Sequence, residues 1–93
     1  MVVSMRRPPR QPPAGQPDDS GAKDSEVVAL GQRVRELRQA AGMTQESLAD
    51  AAGLHWTYVG QIERGERNPT YKNVLRLARG LSVDPARLMP DDV

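Results

Sequence analysis

The run TQESLADAAGLHWTYVGQIERG, Thr44 to Gly65, decides how the rest of the chain is read. Thr44 is a residue type that caps helices, and Glu46 in the first turn after it suits the positive end of a helix dipole. Leu48, Ala49 and Ala52 form a short apolar face, and Gly53 closes this helix. A second helix starts near His55 and ends at Gly65. The run is therefore two short helices joined by a tight glycine-containing turn. The protein's aromatic residues are Trp56, Tyr58 and Tyr71, and the first two stand in the second helix beside the only histidine.

Helical angles decide which side of that second helix faces inward. With Trp56 at 0° and ~100° per residue, Val59 falls at about 300° and Ile62 at about 240°, so the buried direction is near 270°. Thr57 is then at about 100°, Gly60 at about 40°, Gln61 at about 140° and Arg64 at about 80°. All four point away from the core, with Trp56 on one border of the exposed face and Tyr58, at about 200°, on the other. A mid-helix glycine costs roughly 1 kcal/mol relative to alanine. Gly60 is either a point of close approach by another body or a tolerated surface residue. Trp56 either touches a ligand or braces the turn, and Tyr58 either packs with its hydroxyl in water or offers it to a phosphate. Glu63, at about 340°, falls in the buried half and needs a partner.

Upstream, Val27, Leu30, Val34, Leu37 and Ala41 are spaced 3, 4, 3, 4, one stripe of an amphipathic helix. Ser25 can cap its start and Gly42 ends it. Arg38 flanks the stripe and is the candidate to reach Glu63 in a charge-assisted pair, as structural glue and not as an acid–base couple. Downstream, GERNPT is a turn in which Pro69 stops continuation and Thr70 caps the next helix, whose stripe is Val74, Leu77, Ala78 and Leu81. Asp84 caps a last short helix, Pro85 opens it and Pro90 ends it. No segment alternates usefully at period two. The expected fold class is all-α, a compact bundle of roughly four to five short helices near the lower size limit for a self-sufficient core.

Residues 1–25 have a different composition. RRPPRQPPAGQPDDSGAKD is dense in Pro, Gly, Gln, Asp and Ser, without apolar periodicity, and reads as a disordered tail ahead of one domain over 26–90. It is either a solubilising tail or a basic arm that uses Arg6, Arg7 and Arg10 on DNA, with docking of its PxxP-type stretches a further reading. The net charge of +1 hides a split. Residues 1–25 carry Arg6, Arg7, Arg10 and Lys23 against Asp18, Asp19 and Asp24, while 26–93 carry nine basic and nine acidic side chains. The domain is neutral, so a basic footprint must come from where its arginines sit.

Mean hydropathy is −0.62. There is no cysteine for a disulfide or thiolate site, and no apolar run long enough for a membrane span or a secretory leader. A soluble, cytoplasmic protein is expected. His55 has no second His and no Cys to complete a metal site, so neither a metal nor a cofactor is expected. With no glycine-rich phosphate loop and no paired-carboxylate arrangement, the sequence offers nothing to an enzyme.

The run 44–65 has the form of a helix-turn-helix unit. With RVRELRQAAGM before it and RNPTYKNVLRLARGLSVDP after it, the chain resembles the lambda-repressor-like, or Cro/CI (XRE), family of bacterial and phage DNA-binding domains over about residues 29–90. The runs TQ..LA..AG and QIERG.RNP stand at the family's spacing. GLHWTYVGQIERGERN, 53–68, also looks like the controller proteins of restriction–modification systems, which are small homodimeric regulators. The resemblance implies a third helix lying in the major groove, with Trp56, Thr57 and Gln61 reading bases. It implies that Gln45 binds a phosphate through its side chain and the helix N-terminus, and that Arg64, Arg67 and Asn68 follow the backbone. Arg38 and Glu63 match a buried ion pair of this fold.

The chemistry of the residues suits those roles. Gln61 can pair bidentately with adenine, the Thr57 methyl can meet a thymine methyl, and Arg64 can reach a phosphate or a guanine edge. Three positions depart from the pattern. Trp56 stands where a smaller polar residue or proline is usual, His55 where Ser or Thr caps the helix, and Glu66 beside the expected phosphate path. His55 and Tyr58 complete the expected DNA-facing set. The implied function is a sequence-specific transcriptional regulator, acting as a homodimer on pseudo-palindromic double-stranded DNA of the bacterial nucleoid, with no membrane or small-molecule partner. Leu81, Val83, Leu88 and Met89 are candidates for the dimer surface. A protein-interaction module, such as an antitoxin or a coactivator-like bridge, is the competing class.

Overall fold

The computed structural model describes residues 24–89. Residues 1–23 of the expected tail and the stop at Pro90 lie outside the described residues, while Asp24 and Ser25, expected in the tail, open the first helix. Four α-helices and a final turn of 3-10 helix follow in order: α1 (Ser25–Ala40), α2 (Gln45–Ala52), α3 (Trp56–Glu63), α4 (Tyr71–Leu81) and the 3-10 turn (Pro85–Leu88). There are no strands among the described residues.

Local chemistry explains most of the boundaries. The first differs from expectation: Asp24, not Ser25, caps α1, its Oδ1 accepting from the amides of Glu26 (2.9 Å) and Val27 (3.3 Å). A carboxylate at the positive end of a helix adds a charge term to the cap that a hydroxyl lacks. Thr44 and Ser47 form a reciprocal box ahead of α2, each backbone amide donating to the other's hydroxyl at 2.9 Å. Gly53 leaves α2 with φ at +72°, and the Leu54 amide returns to the Ala49 carbonyl at 2.9 Å. That left-handed turn is the pivot between the paired helices, and only glycine takes it without strain. Thr70 Oγ1 caps α4 through the Asn73 amide, and Asp84 caps the 3-10 turn through Ala86.

The apolar stripes meet in one core of Val34, Leu48, Ala49, Ala52, Val59, Ile62, Val74, Leu77, Ala78, Leu81 and Leu88. α2 packs on α4, and α1 and α2 both pack on α3. The approach of α1 to α3 depends on Gly31, where a Cβ would run into the carbonyl oxygen of Ile62. Two of the dimer-surface candidates are corrected here. Leu81 and Leu88 are buried in their own core, because the 3-10 turn folds back on α4; Met89 is exposed and Val83 is partly buried.

Candidate nucleic-acid interface

The inner side of α3 is fixed at two levels. Val59 and Ile62 are fully buried in the core. One residue on, Glu63 is also buried, and its carboxylate is fully engaged. Arg38 Nε donates to Oε2 at 2.6 Å, Arg38 Nη2 donates to Oε1 at 3.1 Å, and Gln45 Nε2 donates to Oε1 at 3.1 Å. The remaining arm of Arg38, Nη1, donates to the Met43 carbonyl at 2.9 Å. Each charge has a fork-shaped partner, which is what a buried ion pair requires. The cluster ties α1, the α1–α2 turn, α2 and α3 together, as the position of Glu63 on the helical wheel implied.

Two expectations about the outer side change. The side chain of Gln45, expected on a phosphate, turns its amide nitrogen inward to Glu63, and the residue is half-buried. By angle alone Gly60 lies on the open face, yet it is buried. A Cβ there would lie 3.2 Å from Arg64 Nη1 and 3.3 Å from Gln45 Oε1. The body that approaches Gly60 is the protein itself: the start of α2 and the side chain of Arg64 cover it. A wheel drawn for one helix cannot show a neighbouring helix end.

The remaining candidates are open to solvent to different degrees. His55, Trp56, Thr57, Arg64, Arg67 and Asn68 are exposed, and Tyr58 and Gln61 are half-buried. His55 does cap α3, its Nδ1 accepting from the Thr57 amide at 3.2 Å. Its ring stacks on the half-exposed Trp56 with centroids 6.1 Å apart and planes 22° apart. Stacking of this kind stiffens the entry to the helix. Tyr58 packs toward α4: its hydroxyl accepts from Asn73 Nδ2 at 3.1 Å, and Arg67 lies over its ring at 5.8 Å. Asn73 in turn accepts from Arg76 at 3.2 Å through Oδ1. Because the Tyr58 oxygen is an acceptor here, its own proton remains available to a phosphate.

At the far end of α3, Arg64 is engaged by a near neighbour. Its Nε donates to Glu66 Oε2 at 2.9 Å and its Nη2 to Glu66 Oε1 at 3.3 Å. This hydrogen-bonded pairing holds the Glu66 carboxyl below its usual range and raises the Arg64 guanidinium above its own. Sequence reasoning missed Asn73. Its position four residues before Leu77 and eight before Leu81 puts an amide in line with an apolar stripe, which is the signal that it has a partner. Among the described residues no three His, Cys, Asp or Glu side chains are grouped to hold a metal ion, and no helix is long and apolar enough to cross a membrane.

This geometry coincides with the family comparison. The helix-turn-helix family model matches residues 34–88, from mid-α1 through the 3-10 turn. The chain belongs to the helix-turn-helix family. It is 40% identical over 60 residues to the control protein C.SmaI of Serratia marcescens, covering 64% of this chain and 71% of that protein. It is 42% identical over 63 residues to the control protein C.BamHI of Bacillus amyloliquefaciens, covering 67% of this chain and 78% of the relative. The crystal structure of the restriction–modification controller protein C.AhdI from Aeromonas hydrophila superposes with a TM-score of 0.69 at 48% identity, over 70% of this chain and 98% of that one. The resemblance in the sequence to Cro/CI-type and controller domains is thus confirmed. As a member of this helix-turn-helix family, the chain is a DNA-binding transcriptional regulator.

Proposed function

We propose that the protein is a controller-type regulator that binds a pseudo-palindromic operator as a homodimer, in the cytoplasm and on the nucleoid of a bacterium. α3 enters the major groove, with Trp56, Thr57 and Gln61 toward the bases. Tyr58, Arg64, Arg67 and Asn68 meet the flanking phosphates, and His55 holds the start of the helix. Gln45 contributes through the open N-terminal amides of α2, its side chain being held by Glu63.

One observation carries this reading. The inner side of α3 is immobilised by Val59, Ile62 and the Arg38–Glu63–Gln45 cluster, while polar side chains able to read bases project from the other side. A recognition helix must be rigid behind and polar in front, because a loosely held one could not keep bidentate geometry. The likeness to proteins named for the control of restriction–modification systems supports the same task here.

Selection of bound duplex from a random pool by the purified full chain tests the proposal. A single dyad motif is expected, with half-sites about one helical turn, roughly 34 Å, apart. Gln61→Ala should relax base preference at one position of each half-site and weaken operator binding by about 1–3 kcal/mol. An unchanged motif would mean that α3 does not face the bases as described.

A further inference from the structure

Arg64 stands at the C-terminal end of the proposed recognition helix, yet Glu66 already occupies its Nε–Nη2 edge as a two-point acceptor, at 2.9 and 3.3 Å. That edge is one of the two from which a phosphate accepts bidentately, and the other includes Nη1, which lies over Gly60. The two ligands cannot occupy the Nε–Nη2 edge together. Three features make the internal ligand durable and still exchangeable. Only Gly65, in a left-handed conformation, separates the two residues, so the carboxylate is tethered beside the guanidinium. The guanidinium has a seat, because Gly60 has no side chain and a Cβ there would come within 3.2 Å of Nη1. Both partners are half-open to solvent, 56% and 51% exposed, so exchange needs no unfolding.

We propose that Glu66 is an internal stand-in for phosphate, which withholds Arg64 from duplexes the protein does not recognise and yields it only when base contacts fix a backbone phosphate at the guanidinium edge. The proposal rests on the DNA-facing reading of α3 and makes Glu66 a positioning residue that sets non-specific affinity and its salt dependence through Arg64. A protein on random sequence sits without fixed register, and its affinity comes from phosphates alone. In that state a mobile phosphate competes poorly with a tethered carboxylate. On the operator, Thr57 and Gln61 lock the register, and one phosphate stays at Arg64 long enough to replace Glu66. The operator complex of the wild type therefore counts one phosphate contact that the random complex lacks.

The test is a salt series of binding isotherms, by fluorescence anisotropy, for the full chain on its selected operator and on random duplex. Each phosphate contact contributes about 0.9 to the slope of log affinity against log salt. Glu66→Gln should steepen the random-duplex slope by about 0.9 and leave the operator slope unchanged. Random-duplex affinity should rise by up to about five-fold, and operator affinity by at least as much, because the wild type must break the exposed pair to bind the operator. In an Arg64→Met background, Glu66→Gln should change neither slope. Equal changes of slope on both duplexes, or a change that persists without Arg64, would make Glu66 a simple repulsive charge and overturn the proposal. Unchanged random-duplex binding would overturn it as well. A wild-type chain that selects no duplex at all would instead remove the DNA-facing reading beneath it.

Discussion

Two arginine–glutamate forks stand within a few residues of each other at the end of α3, and they behave as opposites. Arg38–Glu63 is 12% and 2% exposed, and Gln45 and the Met43 carbonyl fill its remaining positions. Arg64–Glu66 has the same fork geometry but is 56% and 51% exposed, with no further hydrogen-bond partner among the described residues. The chemistry is the same and the solvent is not. Water competes for the outer pair and screens it, so its contribution to stability is small and its partner can be exchanged. The inner pair has no water to fall back on, so loss of either member leaves an uncompensated charge in the core. One fork fixes α3 in the core and the other stands open to solvent.

The largest expected effect breaks the inner fork. Arg38→Met should destabilise the domain by about 3–5 kcal/mol, read as a fall in urea midpoint or Tm, because Glu63 is left buried and unpaired. Replacing both members, Arg38→Met with Glu63→Leu, should recover much of that loss, since the penalty lies in the orphaned charge. Little recovery would mean that the link across α1, α2 and α3 matters more than the charge. Gln61→Ala lies between the two forks and should leave the urea midpoint nearly unchanged while it loses the base discrimination given above. A smaller effect is expected at the α3–α4 contact. Asn73→Ala should lower stability by about 0.5–1.5 kcal/mol through loss of its bond to Tyr58, checked by urea denaturation.

The smallest effect belongs to the outer fork. Arg64→Met should leave Tm unchanged within error, and the readout is instead the titration of Glu66. Arg64 depresses the Glu66 carboxyl in the folded state, so the pair is present above the ordinary carboxylate range and lost as pH falls through the lowered value. Carboxyl NMR should therefore show the Glu66 midpoint rising in Arg64→Met. An unmoved midpoint would mean that the pair does not persist in solution.

Much of this was legible in the residues. The stripe Val27–Leu30–Val34–Leu37, the cap at Thr44, the glycine turn at Gly53 and the stripe Val74–Leu77–Ala78–Leu81 each state a local preference that the fold obeys. Even the Arg38–Glu63 pair could be placed, since a carboxylate on the inward arc of a helix must find a cation. Apart from that pair, features made by two elements at once could not be read. Gly60 faces outward on its own helix and is buried by Gln45 and Arg64. Gln45 has a helix-end position suited to phosphate, and its side chain serves Glu63 instead. Leu88 sits in a short terminal turn and completes the core.

By itself the sequence determined the helices, their order, most of their caps and the inward side of α3, because those follow from periodicity and from hydrogen-bonding groups within a few residues. Tertiary structure alone decided that Gly60 is covered, that the Gln45 amide turns to Glu63, and which polar side chains of α3 stay open to solvent. The physical reason is that burial is a property of neighbours. The same guanidinium–carboxylate fork is glue when three helices exclude water from it and an exchangeable contact when they do not.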